Sequence, residues 1–240
     1  MLMVSSSQFA INIRSLCEQS DLEAAVSLQR DIWSYKDIDI DSRAMLTGAS
    51  RFAGQILGAF DRERLIGFAL AYATLSFGRL HSHRVGILPE YQNFGIGRKL
   101  KLAQREDALA RNIAVIQWTF DPLQSRNAYF NLVRLGGIAK TYIPNLYGIT
   151  TSLLHGGLPT DRLLIEWELE SERVRRILAG EAPDVSNDVR EILLSPHADR
   201  SNAAVQDRLR EEFLAYLGDG FSVTGFREEN GSHIYVLERL

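Results

Sequence analysis

The stretch from Val85 to Arg98 limits the possible folds of this chain more than any other part of it. It reads Val-Gly-Ile-Leu-Pro-Glu-Tyr-Gln-Asn-Phe-Gly-Ile-Gly-Arg, which predicts an apolar strand, a break at a proline, a glycine-bearing turn and the start of a helix. A strand that leads through a short turn into a helix is a building unit of α/β proteins. The sequence therefore predicts an α/β domain in which this turn joins a strand to a helix.

The turn itself has the composition of an anion site. Gly95 and Gly97 allow positive φ and a close approach of a ligand to the backbone. The following helix would direct its free N–H groups and the positive end of its dipole at the turn, an arrangement that binds phosphate. Arg98, Lys99 and Lys101 lie near the start of that helix, where cations oppose the dipole unless a polyanion offsets them. The alternative is a tight turn that binds nothing.

Two common phosphate motifs do not fit this turn. The Walker A pattern is missing, and the dinucleotide pattern G-x-G-x-x-G fails at Leu100. What remains is Gln92-x-x-Gly95-x-Gly97 after a strand that ends in Leu88. With this run the chain resembles the GNAT superfamily of acyl-CoA-dependent N-acetyltransferases, whose phosphate loop follows the pattern Q/R-x-x-G-x-G/A between the fourth strand and the third helix.

The resemblance implies a donor and a binding site. In that family the loop amides hold the pyrophosphate of coenzyme A, the preceding strand pairs with the pantetheine arm, and a backbone amide of that strand polarises the thioester. Acetyl-CoA is then the expected co-substrate, with no metal. The residues that the resemblance assigns to binding it are Ile87, Leu88, Gln92, Asn93, Phe94, Gly95, Ile96, Gly97, Arg98 and Asn127.

The catalytic residues are less clearly marked. The frequent general acid of the family is a tyrosine three residues before a Leu-Gly pair, and here that position is Leu132. Tyr129, Tyr142 and Tyr147 are the nearby candidates, and we expect Tyr147, in a loop, to donate to the CoA thiolate instead. The alternatives are that the thiolate leaves without help, that the protein is not a catalyst, or that Tyr147 is a packed surface tyrosine. Asp121 follows a predicted central strand, where α/β proteins place ligands. It either binds a cationic acceptor, takes the amine proton or merely ends the strand, and Arg126 would keep it ionised.

Two histidines precede the turn. His81 and His83 would share one face of the predicted strand. They form either a base that faces a cleft or ordinary hydrogen bonds within the strand, and the second interpretation is favoured. A pair at this spacing without cysteine or carboxylate companions is a poor metal signature.

Composition excludes several classes of protein. With 45% hydrophobic and 24% charged residues, the 240-residue chain has enough apolar material for a packed core. Its net charge of −3 does not suit a broad nucleic-acid face. No apolar run approaches the roughly 20 residues of a membrane span, no signal peptide is evident, and the single cysteine fits a reducing compartment. We expect a cytoplasmic protein without nucleic-acid or membrane partners, and leave a homodimer open.

The order of predicted elements matches the GNAT resemblance as far as residue 170. The expected fold is a mixed α/β sheet, the GNAT acyl-CoA N-acyltransferase fold, with a C-terminal helix-plus-hairpin extension. We divide the chain into an acetyltransferase domain, 1–170, and an α+β extension, 171–240. In the first, Ser20 to Glu23 has a capping-box pattern. In the second, residues 180–202 are expected to be a loop and Asn230-Gly231 a hairpin turn.

Two functions of different class follow. The first is direct transfer of an acetyl group from acetyl-CoA to an amine of a small molecule or peptide, in a ternary complex. The second is a non-catalytic acyl-CoA-binding or regulatory module that kept the phosphate loop and lost the tyrosine. Both predict CoA binding, and only the first predicts release of free thiol.

Overall fold

A computed structural model describes residues 9–149, 157–195 and 202–240. The chain divides into two compact units, residues 1–113 and 114–240. Each contains strands and helices around buried apolar side chains. Among the described residues, no helix has the combination of length and hydropathy that a membrane span requires.

The first unit is an antiparallel arrangement of four strands with helices packed on it. Its strands are β1 (Ile11–Ser15), β2 (Gly54–Asp61), β3 (Arg64–Ala73) and β4 (Arg79–Ile87), and its helices are α1 (Gln19–Trp33), α2 (Arg43–Gly48) and α3 (Ile96–Ala110). Short 3-10 turns occupy Asp37–Asp39 and Pro89–Tyr91, and a π-helical turn occupies Ala49–Ala53. The strands pair in the order β1-β2-β3-β4.

Buried side chains of β3 form the centre of the apolar core of this unit. Ile66, Phe68 and Leu70 of β3 are fully buried, and so is Leu22 of α1. Each such side chain contributes roughly 1.5–3 kcal/mol when it leaves water. Helix α1 packs on β3 and α3 packs on β2. The segment that follows β4 therefore begins from a well-packed strand.

The second unit is built around a longer antiparallel set of strands. The strands are β5 (Val115–Phe120), β6 (Ile138–Ile143), β7 (Arg162–Glu168), β8 (Val189–Leu194), β9 (Ser222–Glu229) and β10 (Ser232–Glu238). The helices are α4 (Ser125–Ala128), α5 (Glu172–Ala179) and α6 (Ala203–Gly218), with a π-helical turn at Tyr129–Arg134. The strand order is β5-β7-β6-β9-β10-β8.

The C-terminal residues continue the sheet of this unit. Strand β9 pairs with β6 at Ala139 and Val223. Phe213 of α6 stacks on Tyr142 of β6, with ring centroids 5.6 Å apart, and meets Tyr235 of β10 edge-on at 5.1 Å. The extension therefore shares an aromatic core with β6. The domain division at residue 170 stays a prediction.

The structure tests three local predictions: a hairpin turn, a loop and a helix cap. The Asn230-Gly231 turn is confirmed, since both residues have positive φ, 50° and 75°, between β9 and β10. The expected loop over 180–202 is wrong for 189–194, which forms β8 against β10 because Ile192 and Leu194 are buried there. Ser20 as a helix cap is also wrong, because α1 begins at Gln19 and its cap residue, Glu18, makes no side-chain cap.

Candidate functional site

The loop between β4 and α3, residues 88–95, is anchored firmly where it leaves the strand. Leu88 is 5% exposed, and its N–H donates to the carbonyl of Ile66 at 2.9 Å. The side-chain amide of Gln92 donates to the carbonyl of Ile87 at 3.0 Å. Leu88 thus fastens the loop to the apolar core, and Gln92 fastens it to the end of the strand.

The second half of the β4–α3 loop turns into the helix by left-handed backbone. Asn93 and Gly95 have φ of 70° and 76°, and Ile96 begins α3 with a side chain only 2% exposed. Phe94 packs edge-on against Phe9, with centroids 5.1 Å apart. Gly97 has no positive φ, so the sequence expectation is confirmed at Gly95 and wrong at Gly97, which is the second residue of the helix.

The first turn of α3 has no capping group. The first bond of its ladder runs from the Lys99 N–H to the Gly95 carbonyl at 3.1 Å. The N–H groups of residues 96–98 precede that bond, and within the described ranges they have no acceptor. No acidic side chain lies in this turn. This helix end therefore offers N–H donors and a positive dipole end to an anion.

The side chains around this helix end divide into two groups. The Nε atom of Arg98 is buried and lacks a hydrogen-bond partner among the described residues, whereas Lys99 is exposed. Lys101 is 3% exposed and donates to Ser82 Oγ at 2.8 Å, and burial lowers its pKa well below the ordinary value. The expectation that Lys101 joins the cations facing a polyanion is therefore wrong, because its side chain lies in the interior.

Space is available where a phosphate would approach. A Cβ atom added at Gly95 or at Gly97 would meet no protein atom within 4 Å. Packing among the described residues therefore does not explain the glycine at position 97. The uncapped N–H groups and this open space fit a diphosphate.

A second polar cluster in the first unit was not foreseen. Asp41 lies just before α2 and contacts two neighbouring residues of β4. Its Oδ2 accepts a short hydrogen bond from Arg84 Nε, and its Oδ1 lies 3.5 Å from His83 Nε2. The backbone N–H and carbonyl of Asp41 are held by the side-chain amide of Gln29, at 2.9 and 3.0 Å. Gln29 is fully buried, so this carboxylate is held in a fixed place.

The ionisation of this cluster follows from its surroundings. Burial acts to raise the pKa of Asp41, but the bond from His83 and the charge of Arg84 outweigh it and leave that pKa lowered. Burial, reinforced by Asp41, raises the pKa of Tyr72 to about 12. Burial, with the charges of His83 and Lys101, lowers the pKa of His81. At neutral pH the cluster therefore holds an ionised Asp41 beside a neutral Tyr72.

In the second unit, Asp121 closes a turn between β5 and α4. It is 8% exposed; its Oδ1 accepts from the Leu123 N–H at 2.9 Å and its Oδ2 from the Gln124 amide at 3.3 Å. Gln124 in turn accepts from the Asn127 amide at 3.0 Å. The structure thus links Asp121 and Asn127 through Gln124. These bonds favour the strand-ending interpretation of Asp121, and its role in the reaction stays a prediction.

Tyr147 lies beside another residue of β5. Its hydroxyl is 3.4 Å from Thr119 Oγ1, the guanidinium of Arg162 lies 5.6 Å from its ring centroid, and 46% of the residue is exposed. Its backbone N–H donates to Thr160 Oγ1 at 2.8 Å, which fixes the loop. Leu132, at the position of the family tyrosine, is fully buried. An accessible hydroxyl at β5 suits a proton donor, and that role stays a prediction.

Comparison with known proteins agrees with this architecture. Residues 22–131 match the sequence profile of the acetyltransferase (GNAT) family. The ribosomal-protein-S18-alanine N-acetyltransferase from Escherichia coli superposes with a TM-score of 0.55 at 17% identity, covering 67% of this chain and 95% of that one. The PaiA N-acetyltransferase from Thermoplasma acidophilum in complex with coenzyme A gives a TM-score of 0.51 at 21% identity, covering 67% and 99%. No curated protein sequence matches the chain.

These similarities fix the fold. At identities of 17% and 21%, the solved structures show that the chain has the GNAT fold and do not transfer a substrate. They are covered almost completely, whereas about a third of this chain lies outside each match, because 67% of it is covered. The expected fold class, α/β with the GNAT architecture, is confirmed.

Proposed function

Since residues 22–131 of this chain match the acetyltransferase (GNAT) family, we propose that the protein transfers an acyl group, acetyl by default, from acyl-CoA to an amine acceptor. The observation that carries the proposal is the helix end at Gly95 to Arg98. It combines uncapped N–H groups, an unpartnered buried guanidinium nitrogen and open space over two glycines. A diphosphate would accept from the N–H groups and occupy the open space, and coenzyme A contains one.

The residues that would hold coenzyme A belong to β4, the β4–α3 loop and the start of α3. N–H groups of residues 95–98 would bind the pyrophosphate, with Arg98 adding charge. The backbone at Ile87 and Leu88 would lie along the pantetheine arm. Acetyl-CoA, when bound, supplies the activated acyl carbon as a thioester. Asn127 is proposed as a further contact to the cofactor.

The remaining chemistry is proton movement. The acceptor must lose a proton before its nitrogen attacks, and the departing thiolate must gain one. We assign the donation to Tyr147, because its hydroxyl is accessible and rests on Thr119. Asp121 is proposed to attract a cationic acceptor, although its carboxylate also serves the turn before α4.

The acceptor is proposed to be a primary amine of a small molecule or a peptide, acylated directly in a ternary complex. The Escherichia coli protein, by its name, modifies an alanine of a ribosomal protein, which supports peptide amines as one class to be tested. Residues 171–240 are proposed to be an extension that lies outside the CoA site. The family match ends at residue 131, before this extension begins.

A non-catalytic CoA-binding module is the competing function, and the buried Leu132 in place of the family tyrosine favours it. Isothermal calorimetry with CoA, beside a thiol-release screen of acetyl-CoA against amines, amino acids and peptides, separates the two. Release of thiol with an acceptor supports the enzyme. CoA binding without release across the whole screen supports the module.

A substitution at Gly97 tests separately whether the start of α3 binds the CoA pyrophosphate. Gly97→Asp places a carboxylate at the helix end, and we expect CoA affinity to fall at least about tenfold, roughly 1.4 kcal/mol. A folded Gly97→Asp protein that binds CoA as the wild type does would contradict the assignment.

A further inference from the structure

We propose that His83, held by Asp41, is the general base that removes the proton from the acceptor. The inference rests on the proposed function and adds to it a residue pair from two separate elements. Asp41 comes from the segment before α2 and His83 from β4, and the two side chains meet at 3.5 Å. Only a tertiary contact brings them together.

The carboxylate is positioned as a partner that fixes an imidazole. Gln29 holds its backbone through two hydrogen bonds, and Arg84 also donates to the carbonyl of Asp39 at 2.9 Å. The Arg84 guanidinium lies 4.9 Å from the ring centroid of Tyr35 and 5.5 Å from that of Trp33. Side chains locked from several directions give the fixed geometry that proton transfer needs.

A bulge in β4 supports the same assignment. The register between β3 and β4 shifts so that Leu70 opposes Arg84 while Ala71 opposes Ser82, which leaves His83 as the extra residue. A bulge re-aims the side chain at that point and is common beside active sites. His83 lies four residues before Ile87, about 13 Å along the strand. A pantetheine arm that runs along β4 from the phosphate loop heads towards this bulge.

The charged and titratable neighbours single out His83 for the role. Tyr72 has a pKa raised to about 12 and a buried hydroxyl without a partner among the described residues, so it holds its proton. Asp41 is engaged by Arg84. His81, whose pKa is lowered by burial and by the charges of His83 and Lys101, lies 6.3 Å from the His83 ring. Contact of Nε2 with the carboxylate places the ring proton there and leaves Nδ1 to accept one.

The proton balance of the step is complete. His83 Nδ1 takes one proton from the acceptor ammonium, and the freed nitrogen pair forms a bond to the acyl carbon. The bond from that carbon to sulfur breaks and the electron pair leaves on the thiolate. The second surplus proton of the nitrogen passes to solvent, and His83 later releases its proton to solvent as well. The thiolate gains the proton that Tyr147 is proposed to donate, and Tyr147 is reprotonated from solvent, so the net reaction releases one proton. No oxidant, reductant or metal is required.

The test compares two histidines of one strand with the acceptor found in the thiol-release screen. We expect His83→Gln to lower kcat by about 10²-fold or more. His81→Gln, the matched control, should keep most of the rate. His83→Ala should regain activity when imidazole is added, an effect that a purely structural histidine does not show. Asp41→Asn should lower kcat with little change in KM.

CoA calorimetry on the same variants separates the possible failures. Unchanged CoA affinity in His83→Gln, together with the lost rate, supports the base. Equal rates for His83→Gln and His81→Gln, or failure of imidazole to restore His83→Ala, overturn the pair while the proposed function stands. A wild-type protein that binds CoA and releases thiol with no amine overturns both.

Discussion

Replacing Gly97 by alanine should change folding stability and ligand affinity in opposite directions. Gly97 is the second residue of α3 and has ordinary helical backbone, without the positive φ that Gly95 shows. An added methyl group would touch no protein atom within 4 Å. The folded protein alone therefore gives no reason to keep a glycine at this position.

The magnitudes follow from these two facts. Glycine inside a helix costs roughly 0.5–1 kcal/mol relative to alanine, so Gly97→Ala at the first turn should stabilise the fold by about 0.5 kcal/mol. That corresponds to a rise in Tm of about 1–2 °C. Gly95→Ala should do the reverse, because a side chain in the left-handed region costs roughly 1–2 kcal/mol. A phosphate seated on the helix end would meet the new methyl, so we expect CoA affinity of Gly97→Ala to fall about tenfold, about 1.4 kcal/mol.

The assay is thermal unfolding in the absence of ligand, followed by calorimetric titration with CoA. The expected outcome for Gly97→Ala is a higher Tm together with a weaker Kd. Gly95→Ala controls for loop distortion, since it should lower Tm as well as affinity. A Gly97→Ala protein with raised Tm and unchanged CoA affinity would show that the ligand does not approach this helix end, and the phosphate assignment would be wrong.

Other predictions concern residues whose surroundings are defined. Lys101→Met should stabilise the protein at neutral pH, because burial alone lowers the pKa of Lys101. The unfolded wild type binds more protons between that lowered pKa and about 10.4, so its stability rises with pH in this window, and urea unfolding should show a smaller rise for Lys101→Met. Asp121→Asn keeps an oxygen that can accept the hydrogen bond from the Leu123 N–H. If Asp121 binds a cationic substrate, the variant should raise KM more than it lowers kcat. Unchanged KM and kcat would show that Asp121 only stabilises the turn. Tyr147→Phe should lower kcat by about 10²-fold with Tm unchanged, whereas full activity would mark Tyr147 as a surface tyrosine.

Features that depend on neighbours in the chain were predictable from the sequence. The β4–α3 loop and the β9–β10 hairpin carry glycine and asparagine where left-handed backbone occurs, and both turns form as expected. The sequence pattern favours a helix that begins at Arg98, after both glycines, whereas α3 begins two residues earlier, at Ile96. Gly97 was therefore assigned to the turn although it belongs to the helix. Glycine favours turns, but tertiary packing of Ile96 decides where this helix begins.

The location of Lys101 depends on which face of α3 carries it, and not on its distance in sequence from Arg98 and Lys99. It was grouped with Arg98 and Lys99 because the three are close in sequence. Yet Lys101, Gln104 and Ala108 are spaced as one stripe of a helix, and all three are buried. The periodicity of α3 could have placed Lys101 inside, where Ser82 accepts its hydrogen bond.

The contact between Asp41 and His83 had no comparable signal. Asp41 stands in the polar run Asp37-Ile38-Asp39-Ile40-Asp41, and nothing in that run distinguishes one aspartate from the next. The distinction comes from Gln29, a buried residue twelve positions earlier, which holds the backbone of Asp41 alone among these aspartates in the described structure. Such a carboxylate becomes a candidate only when the tertiary contacts are known.

Four departures from local stability in the first unit lie between the bulge of β4 and the first turns of α3. An uncapped helix end, left-handed backbone at Asn93, a bulge at His83 and a buried Lys101 each carry a cost, and simpler residues would avoid them. A sequence selected for stability alone would place a capping side chain before α3 and an apolar residue at 101. Breaks in local rules are expected where a chain binds or reacts. Because these four departures lie from the bulge to the first turns of α3, they coincide with the stretch that the proposed phosphate site and the proposed base would occupy.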